Sequence, residues 1–259
     1  MPSKHPLYWT GNVAKARVIA RILRDQRSSL KVLDYGAGRG GDWPEVLSER
    51  PGIELVCYEP DPGATAALRQ TLAGTNARVL DDAQFRATTV GADYIVSFSV
   101  LEHVFDRGDY LSEAKRHLAP DGVIHLNYDD GHFRTSLDLD EMRGWRAELA
   151  NTLQNRLAWL WPMIKRLDRY QARVPRAAID ELIARVGLRT IEDRYENLGA
   201  FKQLAKTLPK ERQQEFCRFW MATEDELNAR FRTEATPVMG DSVNLWREMG
   251  SRTLVLRHA

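Results

Sequence analysis

The segment LKVLDYGAGRGG, residues 30–41, constrains this chain more than any other stretch. Leu30, Val32, Leu33 and Tyr35 make an apolar, β-favouring run. It passes directly into a turn carrying Gly36, Gly38, Gly40 and Gly41, and Pro44 suits the first turn of a helix over 44–50. Glycines at such a junction permit positive φ and let a ligand approach the backbone closely. The spacing fits both GxGxG and GxGxxG, and by itself the second pattern says little about which ligand is held.

The same plan then repeats. IELVCYEPD (53–61) reads as a second strand ending in acids, and Pro62 opens a helix to about residue 72, closed near Gly74. A short third strand lies in ARVLDDAQF (77–85), and a fourth in ADYIVSFSV (92–100). DYLSEAKRHL (109–118) is a helix stopped by Pro120-Asp121-Gly122, and VIHLNYDDG (123–131) is a fifth strand. Preceding them all, 12–28 has the spacing of an amphipathic helix. Alternating strands and helices predict a parallel sheet covered on both faces, with ligands at the C-terminal strand ends.

After residue 131 the rhythm changes. Trp145, Leu149, Leu153, Leu157 and Leu160 recur at helical spacing up to Pro162, so 133–172 reads as a helical insertion over the rim. Residues 177–188 and 200–232 read as helices, 189–198 and 252–259 as strands. The expectation is one domain over 1–259, with insertions 133–172 and 200–245 capping an acceptor site.

Of 259 residues, 37 are Lys or Arg and 36 are Asp or Glu, a net charge of +1. That balance gives no support to a general nucleic-acid binder. Cys57 and Cys217 make neither a disulfide framework nor a zinc site, and Cys57 sits in a core-type run. The start MPSKHPLYWTGN lacks the apolar stretch of a signal peptide, and no segment has the ~20 apolar residues that span a bilayer. A cytoplasmic protein is expected. LAWLWPMIKRL (157–167) mixes aromatics with basic residues and suits a lid core or oligomer contact better than a membrane surface. The oligomeric state stays open.

Three acids follow successive strands. Asp34, two residues before the first glycine, is unwelcome beside a pyrophosphate and suits a positively charged ligand end. Glu59 ends the second strand, where a carboxylate can accept both hydroxyls of a ribose. Asp82 and Ala83 follow the third strand, where a side-chain acceptor beside a free backbone N–H can read the N6 and N1 edge of adenine. Each could instead cap a helix or sit in solvent; their order favours a nucleoside site.

VLDYGAGRG (32–40), CYEPD (57–61), DDAQF (81–85), YIVSFSVLEHVFD (94–106) and HLAPDGVIHLNY (117–128) together resemble the class I S-adenosylmethionine-dependent methyltransferases. The resemblance resumes near the C-terminus and leaves 133–172 and much of 200–245 unmatched. It implies a Rossmann-like α/β fold with a seven-stranded, mostly parallel sheet whose last strand is antiparallel. It also implies S-adenosyl-L-methionine as cofactor. Asp34, Gly36 and Gly38 would surround its methionine part, and Glu59 the ribose. Asp82 and Ala83 would meet the adenine, and Ser97 and Phe98 would wall the sulfonium. Tyr8 and Trp9 resemble an aromatic pair that lids the cofactor in relatives.

Methyl transfer to a hydroxyl also needs a proton acceptor. His103, in LEHV after the fourth strand, and Asp129, Asp130 and His132, after the fifth, are the candidates. An Asp–His pair makes a sensible base, because the carboxylate fixes the imidazole tautomer. No dense oxygen cluster suggests a divalent metal. The reading is O-methylation of a small molecule or carbohydrate, such as a surface-polysaccharide precursor. The alternatives are N- or C-methylation of another metabolite, a nicotinamide-dependent oxidoreductase, or a non-catalytic binding module.

Overall fold

The computed structural model describes residues 12–129, 174, 176–233 and 249–259. Helix α1 (Val13–Arg24) starts at Asn12, whose side chain accepts the Lys15 backbone N–H, and ends with Arg21 and Arg24 beside its free carbonyls. Then come β1 (Leu30–Tyr35), α2 (Trp43–Glu49), β2 (Ile53–Tyr58), α3 (Pro62–Thr71), β3 (Arg78–Leu80), α4 (Asp82–Ala87) and β4 (Ala92–Phe98). A 3-10 turn (Leu101–His103) leads to α5 (Arg107–His117) and β5 (Leu118–Asp129). The last elements are α6 (Arg176–Arg185), β6 (Leu188–Leu198), α7 (Gly199–Thr207), α8 (Lys210–Thr233) and β7 (Met249–His258).

The seven strands form one sheet in the order β3-β2-β1-β4-β5-β7-β6. The first five strands are parallel, and β7 runs antiparallel to both β5 and β6. This is the expected Rossmann-like arrangement. After β1 the chain builds outward to β3, then returns to lay β4 on β1's other side. The order reverses there, so a crevice opens at the C-terminal ends of β1 and β4.

Strand alternation sends successive side chains to opposite faces. Val32, Leu55, Cys57, Tyr94 and Val96 pack with Ile19, Trp43, Val46 and Leu68 from α1–α3. Their neighbours Leu33, Val56, Ile95 and Leu126 pack with Phe85, Tyr110 and Leu111 on the other face. Cys57 is buried, as its apolar run predicts.

Two elements differ from the sequence expectation. Pro120-Asp121-Gly122 does not precede β5 but lies inside it, as an irregularity: Ala92 pairs with Leu118, yet Tyr94 pairs with Val123. A Cβ on Gly122 would come within 2.5 Å of the Ala92 carbonyl oxygen, so only glycine passes the neighbouring strand there. The helix expected over 200–232 is two helices, because Pro209 breaks the pattern between α7 and α8.

Helix α8 guards the sheet edge. The Asn228 side-chain amide donates to the Tyr195 carbonyl at 2.9 Å and accepts its N–H at 2.9 Å, standing in for a further strand. Ala205, Cys217 and Trp220 of α7 and α8 also form a small core with Val13 and Ala16 of α1. Expected insertion 133–172, like the segment beyond 233 up to 245, lies outside the described residues. No helix among the described residues is long and apolar enough to cross a membrane.

Candidate functional site

The turn after β1 is tied to the end of β2. The N–H groups of Gly36 and Ala37 both donate to the Tyr58 carbonyl, at 2.9 and 3.0 Å. Gly38 N–H donates to Glu59 Oε2 at 2.8 Å, while Glu59 Oε1 accepts the Asp61 N–H at 3.0 Å. Glu59 thus fixes the turn with one lone pair on each oxygen, and a carboxylate has roughly four acceptor sites.

The glycines serve two different ends. Gly36 has φ +86°, and a Cβ there would sit 2.4 Å from a Val100 methyl. A Cβ on Gly40 would sit 2.4 Å from Leu68. Those two are glycine because the protein itself fills the space. Gly38, at φ +56°, would place a Cβ with nothing within 4 Å. It faces a gap beside Glu59, as a backbone cradle for a ligand would.

Asp34 ends β1 at 2% exposure, and its Oδ2 accepts the Trp43 indole N–H at 2.5 Å. Burial raises its pKa, while the Lys15 ammonium and the Trp43 donor pull the other way. Lys15 reaches in from α1, with Nζ 2.7 Å from Asp42 Oδ2. Burial pulls its pKa down, but Asp34 and Asp42 together outweigh that and hold it above the usual lysine value. Sequence reasoning missed Lys15, Asp42 and Trp43. The available signal was a lysine flanked by Ala14 and Ala16 on the amphipathic helix; that both alanines are fully buried shows only in the structure.

Asp82 and Ala83 stand exposed in the first turn of α4. The helix cap is Asp81, in a reciprocal capping box with Gln84. Asp82 is therefore not spent on capping; its Oδ1 accepts the Tyr58 hydroxyl at 2.5 Å. Beneath it lies an aromatic pile: Tyr58 stacks on Phe85 at 4.0 Å between centroids, and Tyr35 stacks on Tyr110 at 4.1 Å.

At the end of β4, Ser97 and Phe98 face opposite ways. The Ser97 hydroxyl is buried, 2.6 Å from the Tyr110 hydroxyl, so what it can offer the rim is backbone. Phe98 is half-buried on the Asp34 face. Next comes Ser99, exposed at φ +56°, its N–H held by the Asn127 carbonyl at 2.9 Å. A non-glycine residue rarely adopts that conformation, and such strain gathers at functional sites.

His103 is exposed on the 3-10 turn, its N–H bonded to the Val100 carbonyl at 2.8 Å. The other base candidates, Asp130 and His132, lie outside the described residues, as do Tyr8, Trp9 and 157–167; of Asp129 only the backbone is described. The structure brings Asp34, Gly36, Gly38 and Glu59 together, with Asp82 joined to them through Tyr58.

The cradle at Gly38, the buried carboxylate of Asp34 and the acceptor capacity of Glu59 suit a nucleoside carrying a cationic tail. Comparison with known proteins bears on the family and the fold. The methyltransferase-domain family matches residues 10–193. No curated relative matches the chain. Among solved structures, a cyclopropane synthase from Mycobacterium tuberculosis is 18% identical, with TM-score 0.56 over 94% of this chain and 83% of its own. An S-adenosylmethionine-dependent methyltransferase from Mesorhizobium loti is 12% identical, with TM-score 0.55 over 95% and 98%. A phosphoethanolamine N-methyltransferase from Haemonchus contortus, solved with S-adenosyl-L-methionine, is 15% identical, with TM-score 0.56 over 98% and 53%. At these identities the likeness is one of fold.

Proposed function

The chain belongs to the methyltransferase-domain family of class I S-adenosylmethionine-dependent enzymes, and from that premise we propose that it methylates a hydroxyl of a small molecule or carbohydrate. The observation that carries the cofactor part of the reading is Gly38, a positive-φ glycine with open space where a side chain would stand, beside Glu59; the hydroxyl acceptor follows from the sequence reading of His132 and Asp130 as a base pair. Asp34, Gly36 and Gly38 hold the methionine part of the cofactor and Glu59 its ribose. Asp82 and Ala83 meet the adenine, and Ser97 and Phe98 form the wall near the sulfur. When bound, the cofactor supplies a methyl group on a positively charged sulfur, already activated for in-line displacement.

The protein's own work is placement and proton removal. Holding donor and acceptor in line converts a two-body encounter into a pre-oriented one. Residues 133–172 and 200–245 cap the acceptor site. The hydroxyl proton passes to His132, oriented by Asp130, as the new O–C bond forms; His103 organises the pocket wall or takes that role itself. N- or C-methylation is the second reading.

The test is methyl-labelled S-adenosylmethionine incubated with the protein and fractionated pools of metabolites and sugars. The expected product carries label on an ether oxygen. His132→Ala should lower turnover by about 10²–10⁴-fold with cofactor affinity unchanged. Label recovered on nitrogen or carbon overturns the hydroxyl reading. Near-normal turnover in His132→Ala, with loss in His103→Ala, moves the base to His103.

A further inference from the structure

We propose that Lys15 binds the carboxylate of the cofactor's amino-acid end, so that α1 reads that end as a zwitterion, with Asp34 taking the ammonium. The proposal rests on the reading of the site as an S-adenosylmethionine site and adds a residue from outside the glycine turn.

Its first support is placement. Lys15 stands on α1, yet its ammonium lies 2.7 Å from Asp42, the residue that follows Gly41 at the end of the turn. Asp34, at the turn's other end, also acts on it electrostatically. One lysine therefore spans both ends of the loop that holds the ligand.

The second support is Asp42. It occupies the N-cap position of α2, where an aspartate ordinarily accepts a backbone N–H of the first turn. Asp42 makes no such bond; its carboxylate points to Lys15 instead. The helix forgoes its cap to keep this ammonium at the mouth of the turn. An ammonium has three donors, and the pair with Asp42 occupies one.

The third support is charge. Asp34 feels two further carboxylates, Asp42 and Glu59, against the ammonium of Lys15. A counter-ion for Asp34 alone would leave that excess. An amino-acid end joined to a sulfonium meets it: the ammonium and the sulfonium supply positive charge, and the carboxylate matches the lysine. The Lys15 side chain is 19% exposed, so its contact is shielded from water and salt more than a surface pair would be.

The test separates a ligand contact from a structural ion pair by trimming the ligand. S-adenosylhomocysteine and its decarboxylated analogue share adenosine, sulfur and amine; only the carboxylate differs. A charge-assisted contact predicts that the wild type binds S-adenosylhomocysteine about 10–100-fold more tightly by calorimetry. Lys15→Met should erase that preference and leave the decarboxylated analogue's affinity unchanged, and Lys15→Arg should restore part of it. Equal affinity of the wild type for both ligands overturns the proposal and needs no variant, so failure of Lys15→Met to fold does not block the test. A preference retained in Lys15→Met, or equal weakening of both ligands, also overturns it and makes Lys15 a structural counter-ion. If the wild type binds neither ligand, the cofactor reading itself fails and takes this inference with it.

Discussion

At the ends of β1 and β2, Asp34, Asp42, Glu59 and Lys15 surround a turn that stays open at Gly38. Across β5, β7 and β6, polar groups instead close on one another. Arg252, 2% exposed, donates to both oxygens of Asp193 at 2.9 Å, to Asp180 at 2.9 Å and to the Tyr128 hydroxyl at 3.0 Å. Asn127 donates to Ser251 at 3.0 Å and Thr253 at 2.8 Å, and Asn197 donates to Ser251 at 2.6 Å. Arg17 reaches the Glu196 carboxylate at 2.7 Å, and Thr253 donates to the same group. Buried charge is tolerated when it is paired and hydrogen-bonded. In the antiparallel half Arg252, Arg17 and Glu196 meet that condition with partners inside the protein, as architecture does, while Asn127 Oδ1 and Glu224 Oε2 stay without one among the described residues. In the parallel half Asp34, Asp42 and Glu59 gather around Lys15 beside the open space at Gly38, the arrangement from which a binding site is proposed.

The largest expected effect falls on the open side. Gly38→Val puts a branched side chain into the gap and should weaken S-adenosylhomocysteine by about 10³-fold or more, ~4 kcal/mol. The cost to folding should be only ~1–2 kcal/mol, from a positive φ that valine resists. A folded variant that titrates like the wild type would show that the gap is not where the ligand lies.

A pH-dependent effect probes the antiparallel side through Glu224 of α8. Its Oε1 accepts the Leu198 N–H at 2.8 Å and the Trp220 indole N–H at 2.5 Å, while Oε2 has no partner among the described residues. Burial pushes its pKa up to about 8, with Glu196 adding to the rise and Arg17 opposing it. A carboxyl raised in the folded state holds more protons folded than unfolded between its ordinary 4.5 and 8. Stability from this group is therefore full below that window and falls as pH rises through it, by up to ~1.4 kcal/mol per pH unit. Glu224→Gln keeps an acceptor for both donors and should flatten the fall. Urea midpoints of the two proteins compared near both edges of the window are the measurement; parallel pH profiles would refute it.

The smallest effect sits where the two roles meet. Glu59 fastens Gly38 and should also receive the ribose hydroxyls. Glu59→Ala should weaken S-adenosylhomocysteine by about 10–100-fold, the range for hydrogen bonds to a charged group. Unchanged affinity by calorimetry would confine Glu59 to the structural role and make the ends of β1 and β2 resemble the antiparallel half.

Much of the open side was legible in the chain. Strand, glycine turn and acid recur at short sequence distance, so Asp34, Gly36, Gly38 and Glu59 could be read as one site. The split among the glycines was not legible, because Val100 and Leu68, which fill the space at Gly36 and Gly40, come from distant segments. Ser97 shows the same limit. Its position at the end of β4 is readable, but its hydroxyl is committed to Tyr110, which arrives from α5.

The sequence by itself determined the alternation of strands and helices, the acid after each of the first strands and the cofactor class they imply. These depend on local periodicity and turn chemistry, which act over a few residues. Tertiary structure decided which polar groups meet. Lys15 lies 27 residues before Asp42, and Arg252 lies 59 residues after Asp193. No local rule pairs them. Sheet order does, by setting α1 beside the glycine turn and β7 between β5 and β6, and only there do desolvated charges find the partners that burial requires.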